Sequence, residues 1–522
     1  MFTAERNAVV ALALIKKPPK AVDTVESVLA GVDRQPAKAA IDAAAGGDKK
    51  ELAKAAAARL VGVAFEQRSA WALAIDAYEE AWRHAIAAVP PGPHTYTLTT
   101  CSGADLATAI LQANETTDLD IRGNGATLTR DPASPIGPLL RVQGWAGSGG
   151  FAVDDVTFTG GTGTQGALSV QAGGDTSSPA PAVTVTNSSF HDNMQLQVPD
   201  FDPDYVGAGL SVENFPAFGA NTVTLRNDVF ERNSTYDGPA GSEPNSWEDR
   251  AGGAVSIGAT GPVEITGCTF TGNRTGDTPA VRNTFGAFPS FGGAIFSQAP
   301  LTVTDSVFTG NTGGIVAGAC QSGPCGDRVS ISGSTFSGNS GRPAITLNAT
   351  GPDAVAHSDR GLLEVVNSTI TADAPSDWVI GGIDVGQSTA RVTNVTIGID
   401  GAATAGITAE AGAVVTVANT IVAGSNMHCV TNTEGASGTI VDAGGNLTTA
   451  GVVGCPAGFL AGDPLLGALA DNGGPTWTMA VGPGSPAIDA GVDSLCPATD
   501  QRGLPRPFGA GCDIGAFERQ QP

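Results

Sequence analysis

From about Thr95 onward, apolar and polar residues alternate in short runs that are separated by glycine-rich turns. The run Val183-Thr-Val-Thr is typical, and similar runs begin at Val223 and Val263. Alternation with a period of two predicts short β-strands that bury every second side chain. In residues 21–88 apolar residues instead recur every three or four positions, which predicts helices. The chain therefore divides into a helical head and a β-rich body.

The helical head carries apolar residues at helical spacing. They are Leu52, Ala56 and Leu60, followed by Trp71, Ile75, Tyr78 and Trp82. The segment from Leu60 to Trp82 loosely resembles one tetratricopeptide unit. A single unit cannot bury its own apolar face, and no array of three is evident. A small helical hairpin or cap is therefore the alternative.

One phrase recurs through the body: alternating apolar residues, a small polar pair, Phe, and Asn three positions after the Phe. Complete copies contain Phe190 and Asn193, Phe230 and Asn233, Phe270 and Asn273, Phe308 and Asn311, and Phe336 and Asn339. Weaker copies have Phe158, Ile370, Ile397 and Ile421 at the Phe position. A second phrase, Gly-Gly followed by Ala or Ile, begins at Gly252, Gly292, Gly313 and Gly381. Short strands and glycine turns that repeat in this way predict a solenoid.

Each position of the repeat has a physical role in a stack of coils. Alternating Val and Ile point inward from strands that pair with the coils above and below, about 4.8 Å apart. Phe at equal positions predicts an interior aromatic column. Asn at equal positions predicts a ladder of side-chain amides that satisfies the turn backbone. Gly-Gly permits positive φ at the opposite corner.

The FxxN and GGA[IV] phrases resemble those of the chlamydial-type polymorphic outer membrane protein repeat. The resemblance covers residues 150–425. It implies a right-handed, single-stranded parallel β-helix of the pectin-lyase-like kind, as found on bacterial surface and secreted proteins. We therefore expect a mostly β solenoid of about ten coils, preceded by a small α-helical domain.

Both ends of the predicted β-helix resemble known terminal elements. The segment Cys101–Asn114 is similar to the CSLREA-type motif that opens many β-helices, and it predicts a capping helix near 104–114 that covers exposed strand edges. The C-terminal motifs closely resemble the choice-of-anchor Q region of bacterial surface proteins; they are Asp463-Pro-Leu-Leu, Asp471-Asn-Gly-Gly-Pro, Gly484-Ser-Pro-Ala-Ile-Asp, Asp500-Gln-Arg-Gly and Cys512-Asp-Ile-Gly-Ala-Phe-Glu. We therefore predict a helical head at 1–92, a β-helix at 93–460 and a closing module at 461–522.

Negative charge is concentrated in the body. The chain has 27 basic and 51 acidic residues and a formal net charge of −24, and residues 1–95 hold 12 of the basic and 11 of the acidic ones. Such a body repels nucleic acid and anionic lipid, so we expect neither as a partner. It suits an exposed protein or one that collects divalent cations. We expect a monomer with no membrane span.

Eight cysteines, all beyond residue 100, indicate an oxidising compartment. None has the doubled CxxC spacing of a zinc site. The expected disulfide cysteines are Cys320, Cys325, Cys429, Cys455, Cys496 and Cys512, with the pairing of Cys101 and Cys268 left open. Buried free thiols are the alternative. We expect an extracellular or cell-surface location, although neither a signal peptide nor an anchor is evident.

Residue sets typical of β-helix enzymes are not evident in this sequence. A glycoside hydrolase needs two carboxylates about 5 to 9.5 Å apart, and a lyase of this fold typically needs a Ca²⁺ cluster and a basic residue. The five histidines show neither metal nor triad spacing. Stacking of the repeats places His191 beside Glu231, and Asp192 beside Arg232. This set is either catalytic or a solvated ion pair on the outer face, and we assign no catalytic residue.

Loop length is the most informative irregularity. Long insertions, at residues 194–206, 234–251 and 274–290, follow the first three complete FxxN copies, whereas almost nothing follows Asn311 and Asn339. Because the insertions leave the same corner of successive coils, we expect them to lie together. The candidate binding residues are Asp200, Asp202, Asp204, Tyr205, Tyr236, Trp247, Glu248, Asp249, Arg282, Phe285 and Phe288. The alternative is that these aromatic residues only fold the loops onto the wall.

Alternating carboxylates in the first insertion also predict a metal site. Asp200, Asp202 and Asp204 supply the hard oxygen ligands that Ca²⁺ prefers. They lack the Gly and the distal Glu of an EF-hand loop. Apart from Ca²⁺, we expect no cofactor.

Three functions are compatible with the sequence. The first is non-catalytic extracellular recognition of adhesin type, in which the loop cluster binds a glycan or a surface protein. The second is a polysaccharide-active lyase or glycoside hydrolase that uses carboxylates of the same cluster. The third is a structural spacer of the cell envelope, which would bind no ligand.

Overall fold

The structure is a computed structural model that describes most of the body and part of the head. The described residues are 34, 37–38, 41, 47–88, 94–97, 119–130, 138–143, 150–163, 166–171, 182–196, 206–213, 222–236, 251–258, 261–275, 291–317, 328–340, 343–348, 361–372, 380–410, 412–431, 437–451 and 454–520. The chain forms two compact units. The first is Met1–Ala126 with Gly144–Asp154, and the second is Thr127–Gln143 with Asp155–Pro522.

Two described helices of the first unit, α1 (Lys49–Glu66) and α2 (Trp71–Ala87), pack against each other. Asp48 caps α1, because its carboxylate accepts hydrogen bonds from the backbone N–H groups of Lys50 and Glu51 at 2.8 and 2.9 Å. Neither helix is long and apolar enough to cross a membrane. In the same unit the strand His94–Thr97 pairs in parallel with the start of the strand Leu119–Thr129.

The helical spacing correctly predicts both α1 and α2, but the apolar residues at that spacing are not all buried. Ile75 and Tyr78 of α2 are fully buried, whereas Leu60 of α1 is 65% exposed. The reason is the close approach of the two helices at Gly62, where an added Cβ would lie 2.4 Å from the Tyr78 ring. The face of α1 that meets α2 therefore contains Ala55 and Gly62 and leaves Leu60 in solvent.

The second unit is a stack of coils. Its strands form three faces, and the strands within each face run parallel to one another. Face A contains Val183–Thr186, Val223–Arg226, Val263–Thr266, Leu301–Thr304, Arg328–Ser332, Leu362–Val366, Thr389–Thr393, Val414–Ala418 and Thr439–Gly444. Face B contains the end of Phe151–Thr159, then Ser189–His191, Val229–Glu231, Thr269–Thr271, Val307–Thr309, Thr335–Ser337, Thr369–Ala372, the starts of Thr396–Ala409 and Ile421–Val430, Leu447–Thr448 and Leu460–Ala461. Face C contains Leu140–Gln143, Leu168–Gln171, Leu210–Glu213, Val255–Gly258, Ile295–Ser297, Ile315–Ala317, Ile345–Asn348, Ile380–Gly386 and the ends of the two long strands that start on face B.

The strands pair in parallel with the equivalent strands of the coils before and after. On face A, for example, Val223 pairs with both Val183 and Val263. Alternating side chains point inward, so the predicted Val, Leu and Ile positions form a continuous buried core. The predicted fold class is confirmed: the protein is mostly β, a parallel β-helix, with α-helices before it in the sequence.

The predicted aromatic column is present inside face B. Phe158, Phe190, Phe230, Phe270, Phe308 and Phe336 are fully buried. Their rings stack in order, with centroids 4.5 to 4.9 Å apart and nearly parallel planes. The spacing equals the separation of paired strands, about 4.8 Å. One aromatic side chain in each coil therefore continues the stacking contact through six successive coils.

The predicted asparagine ladder is also present, at the corner that follows face B. Asn233 Nδ2 donates to the carbonyl oxygen of Phe190 at 2.8 Å and to Asn273 Oδ1 at 2.9 Å. Asn273 repeats the pattern with Phe230 and Asn311, at 2.9 and 3.0 Å. Each amide thus satisfies buried turn groups and ties two coils together, which favours one register.

A second polar ladder follows the corner between faces A and B and explains the environment of Cys268. Ser306 Oγ accepts the backbone N–H of Cys268 at 3.2 Å, and Ser334 Oγ accepts that of Ser306 at 3.2 Å. Cys268 is 1% exposed and forms no disulfide. It therefore occupies a position that holds serine in the next two coils, and it is a buried free thiol.

The C-terminal segment, residues 462–520, lies along this same corner of four successive coils. Thr476 Oγ1 donates to the carbonyl oxygen of Gly333 at 2.6 Å, and Thr369 Oγ1 donates to Gln501 Oε1 at 2.6 Å. Asn394 Nδ2 in turn donates to the carbonyl oxygen of Asp513 at 3.2 Å. The segment contains the antiparallel strands Leu466–Ala470 and Thr478–Val481 and the 3-10 helix Asp493–Leu495.

Covalent and ionic links hold this end of the chain. The predicted disulfides Cys429–Cys455 and Cys496–Cys512 are present, whereas Cys101, Cys320 and Cys325 lie outside the described residues. Arg506 and Glu518 form an ion pair at 2.8 Å with both side chains fully buried. Arg502 pairs with the buried Asp500 at 2.7 Å, and its guanidinium lies 3.7 Å from the Phe517 ring centre. Asp500, Arg502, Phe517 and Glu518 of the C-terminal motifs thus have a structural role.

Candidate functional site

The roots of the three predicted loops are stacked in register. On the outgoing side, Met194–Leu196 pairs in parallel with Ser234–Tyr236, and Ser234 forms a bridge with Arg274. On the returning side, Val206–Gly207, Ala251–Gly252 and Phe291–Gly292 pair in the same order. The expectation that all three insertions leave one corner of successive coils is confirmed.

The candidate binding residues themselves cannot be placed at these roots. Asp200, Asp202, Asp204, Tyr205, Trp247, Glu248, Asp249, Arg282, Phe285 and Phe288 lie outside the described residues. Tyr236 ends the strand Ser234–Tyr236, but only its backbone belongs to the described part. Within the described residues no group of three or more His, Cys, Asp or Glu side chains could hold a metal ion. The binding residues and the Ca²⁺ site therefore stay predictions.

Directly before the first two roots lies a group of four polar side chains: His191, Asp192, Glu231 and Arg232. We call it the charged root cluster. The predicted adjacency is confirmed, because His191 is the register partner of Glu231, and Asp192 accepts two hydrogen bonds from Arg232. These two bonds, from Nε and Nη2, measure 2.8 and 2.9 Å. The cluster thus joins two adjacent coils on the outer side of face B.

Hydrogen bonds connect the cluster internally. Arg232 Nη1 contacts Glu231, so one guanidinium bridges two carboxylates. His191 Nδ1 lies 3.1 Å from Asp192 Oδ2 and 3.1 Å from Thr159 Oγ1 of the preceding coil. The four side chains are one-third to one-half exposed. They are therefore ordered by mutual contacts but still open to a ligand.

Two residues of the charged root cluster replace a glycine that the repeat has in other coils. Gly160, Gly272, Gly310 and Gly338 occupy one corner position with φ between 58° and 68°. Asp192 and Arg232 stand at the same position with φ of 56° and 52°. This left-handed conformation is easy for glycine and tolerable for aspartate, but it is unfavourable for arginine. The two coils that carry charged residues are also those that begin the first two loops.

Sequence reasoning paired the charged residues but missed this substitution. The signal was present, because the Thr-Gly or Ser-Gly that follows Phe in four copies becomes His-Asp and Glu-Arg in two. Comparing the copies column by column, instead of only at the Phe and Asn positions, would have found it.

The electrostatics at Asp192 do not suit a general acid. Hydrogen bonds from Arg232, and then from His191, lower the pKa of Asp192 to about 2. A general acid in glycoside hydrolysis needs a raised pKa so that it holds a proton near neutral pH. Asp192 instead stays ionised and serves as an acceptor. Together the four side chains offer donors and acceptors within a small area.

No protein-family model, curated protein or solved structure matches this chain. The fold assignment accordingly rests on the strand register, the phenylalanine column and the asparagine ladder of the chain itself.

Proposed function

We propose that the protein is a non-catalytic recognition protein of adhesin type, in which the β-helix presents the three loops and the charged root cluster to a glycan. The observation that carries the proposal is Arg232, a charged residue held at positive φ where four other coils have glycine. Strained residues of this kind concentrate at functional sites. Glycine would be the more stable choice at this corner, so we infer that the charged side chain is retained for a ligand.

We further propose that the protein acts at a bacterial cell surface or outside the cell. Two disulfides are formed, which is typical of oxidising compartments. The FxxN and GGA[IV] phrases and the C-terminal motifs support membership of the polymorphic repeat and choice-of-anchor Q classes. In such a protein the β-helix would serve as a rigid scaffold, and the loops at its corners would carry the binding residues.

The negative charge of the protein favours a neutral glycan over an anionic one. The chain carries a net charge of −24, and within the cluster one arginine already serves two carboxylates. A uronate or other anionic sugar would be repelled by this field. A neutral polysaccharide would instead use its hydroxyl groups as donors to Asp192 and Glu231 and as acceptors from Arg232. Loop aromatics such as Trp247 would add stacking against sugar rings.

A panel of neutral and anionic polysaccharides tests the proposal directly. The purified chain is incubated with each polysaccharide in Ca²⁺ or in EDTA, and bound protein and newly formed chain ends are both measured. We expect binding to neutral glycans without new chain ends. New chain ends would contradict the proposal and support the polysaccharide-active enzyme. No binding to any glycan would contradict the glycan ligand and leave a protein partner or the spacer role.

The Arg232→Gly variant separates function from stability. It restores the glycine of four other coils and also removes the exposed ion pair with Asp192. Because relief of the unfavourable φ offsets the loss of that pair, we expect little change in thermal stability at pH 6, together with at least about tenfold weaker glycan binding, equivalent to about 1.4 kcal/mol. Arg226→Ala is the matched control, because Arg226 is an exposed arginine of the same coil on face A. Equal binding by wild type and Arg232→Gly would remove Arg232 from the site.

A loop graft tests the three-loop cluster. Residues 234–253 are replaced by Thr-Gly, which copies the short connection Asn311-Thr312-Gly313 of a neighbouring coil. As a control at another corner, residues 213–222 are replaced by Gln-Ala-Pro, which copies the connection 298–300. We expect only the first graft to abolish binding. Loss of binding in both would indicate a general disturbance of the coils instead of a site.

A further inference from the structure

A large aromatic side chain stays exposed where the C-terminal segment stops covering face B. Trp477 is 55% exposed, although its carbonyl oxygen accepts hydrogen bonds from Thr335 Oγ1 at 2.6 Å and from Gln501 Nε2 at 3.1 Å. Thr335 is 1% exposed, whereas its register partner in the preceding coil, Val307, is partly exposed. Trp477 therefore stands at the edge of the covered part of face B, with an anchored backbone and a side chain open to solvent.

Between this edge and the charged root cluster, the outward side chains of face B are uncharged and partly exposed. In the two intervening coils they are Thr269, Thr271, Val307 and Thr309, and we call these four residues the face B floor. Strand register places Glu231 three coils before Ser337, which lies on the same strand as Thr335. At about 4.8 Å per coil, the two ends of the floor are about 14 Å apart along the stack.

Asp305 adds a hydrogen-bond acceptor at the same end of the floor. An added Cβ at Gly333 would collide with Asp305 Oδ1, so the carboxylate lies against this glycine. The carbonyl oxygen of Gly333 accepts a hydrogen bond from Thr476 Oγ1 at 2.6 Å. Asp305 and the residue before Trp477 thus contact the same glycine. Burial alone raises the pKa of Asp305, and no hydrogen bond or charge of the described residues contributes. Because Asp305 is still partly exposed, its carboxylate is available to a ligand.

We propose that Trp477 and Asp305 bind one end of the same neutral glycan whose other end contacts the charged root cluster, so that the glycan lies along face B. This inference rests on the function proposed above. The C–H face of a sugar ring stacks on an indole, and sugar hydroxyls donate to a carboxylate, which only accepts. Three threonine hydroxyls of the floor can bond to the sugars between the two ends. A polyanion would be repelled by Asp305 and by the net charge of −24.

The two ends of this extended site make binding depend on the length of the glycan. A disaccharide cannot span about 14 Å together with a contact at each end, whereas a longer oligosaccharide can. Its second contact forms within one complex, so affinity rises with length until both ends are reached. A protein partner would instead need a larger apolar centre than one exposed tryptophan and one valine of the floor.

Titration of the full chain with neutral oligosaccharides tests the extended site. Disaccharides to octasaccharides of cellulose, xylan, mannan and starch are measured by calorimetry. For the glycan that binds, we expect the wild-type Kd of the hexasaccharide to be at least about tenfold below that of the disaccharide. Trp477→Ala is expected to abolish this gain with length, and Asp305→Asn to reduce it about threefold. Phe508→Ala is the matched control, because Phe508 is a second exposed aromatic residue of the C-terminal segment, and it should keep the gain.

The outcomes separate this inference from the function on which it rests. A full gain with length in both Trp477→Ala and Asp305→Asn, together with weaker binding by Arg232→Gly, would overturn the extended site alone. Absence of binding by the wild type to every oligosaccharide would contradict both proposals. Should Trp477→Ala fold poorly, Asp305→Asn decides, because asparagine tolerates the positive φ of this position. Loss of the gain in Phe508→Ala as well would indicate a displaced segment and would also overturn the inference.

Discussion

Asn273 shows how one side chain can be essential to the stack. Its Nδ2 donates to the carbonyl oxygen of Phe230 and to Asn311 Oδ1, while its Oδ1 accepts from the backbone and side chain of Asn233. All of these groups are buried. Replacing Asn273 therefore leaves partners without hydrogen bonds in two neighbouring coils at once.

We expect Asn273→Ala to lower the free energy of unfolding by at least about 2 kcal/mol, because several buried groups lose their partners together. Urea unfolding measures the change. Thr271→Ala, on the outer side of the same strand, is the control and should stay within about 0.5 kcal/mol of wild type. Equal effects of the two variants would show that the ladder adds nothing beyond the strand itself.

Cys268 is buried because it occupies a position in the ladder with Ser306 and Ser334, and its thiol is unreactive there. Burial, and then the charge of Asp228, raise the pKa of its thiol to about 12, so the reactive thiolate is scarce. We expect no modification of Cys268 by iodoacetamide at pH 8 in the native protein and full modification after denaturation, as measured by peptide mass spectrometry. Cys268→Ser should be well tolerated, because Ser306 and Ser334 occupy the same ladder. Native-state labelling of Cys268 would contradict this account.

At the scale of elements, the pair Asp192–Arg232 connects two strands of face B. The pKa of Asp192 is lowered to about 2 by Arg232 and then His191, against about 3.9 in an unfolded chain. A lowered carboxyl pKa stabilises the fold above pH 4, and this contribution is lost as the pH falls toward 2. Both side chains are about half exposed, so solvent and salt screen the pair.

The matched variants Asp192→Asn and Asp305→Asn test these effects of carboxyl pKa on stability, and we expect them to change stability in opposite directions. Both residues have positive φ, which asparagine tolerates. We expect Asp192→Asn to be less stable than wild type at pH 6, with the difference shrinking toward pH 3 and in 1 M salt. Burial raises the pKa of Asp305, so Asp305→Asn should be neutral at pH 3 and stabilising at pH 6. Urea midpoints at the two pH values measure both, and a pH-independent difference would contradict the expectation.

The element scale also shows what the sequence could predict. The period of two, the FxxN spacing and the GGA[IV] phrases depend on neighbours within one coil or on equal positions in the next. They were therefore sufficient to predict the pairing of strands between coils, the Phe190–Phe230 stacking, the asparagine ladder and the common root of the loops. The helix α1 was predicted but its buried face was not, because the approach of Tyr78 to Gly62 depends on tertiary packing and not on periodicity.

The contacts of the C-terminal segment could not be predicted for a similar reason. Thr335, Thr369 and Thr396 are almost fully buried on face B, whereas Thr269 at the equivalent position of an earlier coil is partly exposed. Nothing local in the sequence distinguishes the covered threonines from the uncovered one. Their partners, such as Gln501, are more than a hundred residues away in the chain. The charges of the C-terminal motifs likewise find their partners only within the folded segment.

At the scale of the whole β-helix unit, Gln501 is the residue that ties the C-terminal segment to two coils. Its Nε2 donates to Thr335 Oγ1 at 3.0 Å, and its Oε1 accepts from Thr369 Oγ1. We expect Gln501→Ala to lower the free energy of unfolding by about 2 kcal/mol or more. We also expect faster hydrogen exchange at residues 334–336 and 368–370, measured by mass spectrometry.

Gln520→Ala is the control for Gln501, because the Gln520 amide is exposed and has only a 3.4 Å contact with the carbonyl oxygen of Pro505. It should leave both stability and exchange unchanged. Faster exchange throughout the coils in Gln501→Ala, and not only at the corner that it contacts, would mean that the segment stabilises the entire β-helix cooperatively.

The position of the C-terminal segment also determines when it can attach during folding. Its hydrogen bonds with the coils between Gly333 and Asn419 join residues 73 to 167 positions apart, and these partners come from successive coils that must already be stacked. Each such contact closes a long chain loop, which is slow compared with pairing adjacent coils. During synthesis, the corner at Thr335, Thr369 and Thr396 is complete before the residues that cover it have been made. Attachment of the segment therefore follows stacking of these coils, and until then the chain exposes a surface that other chains can contact.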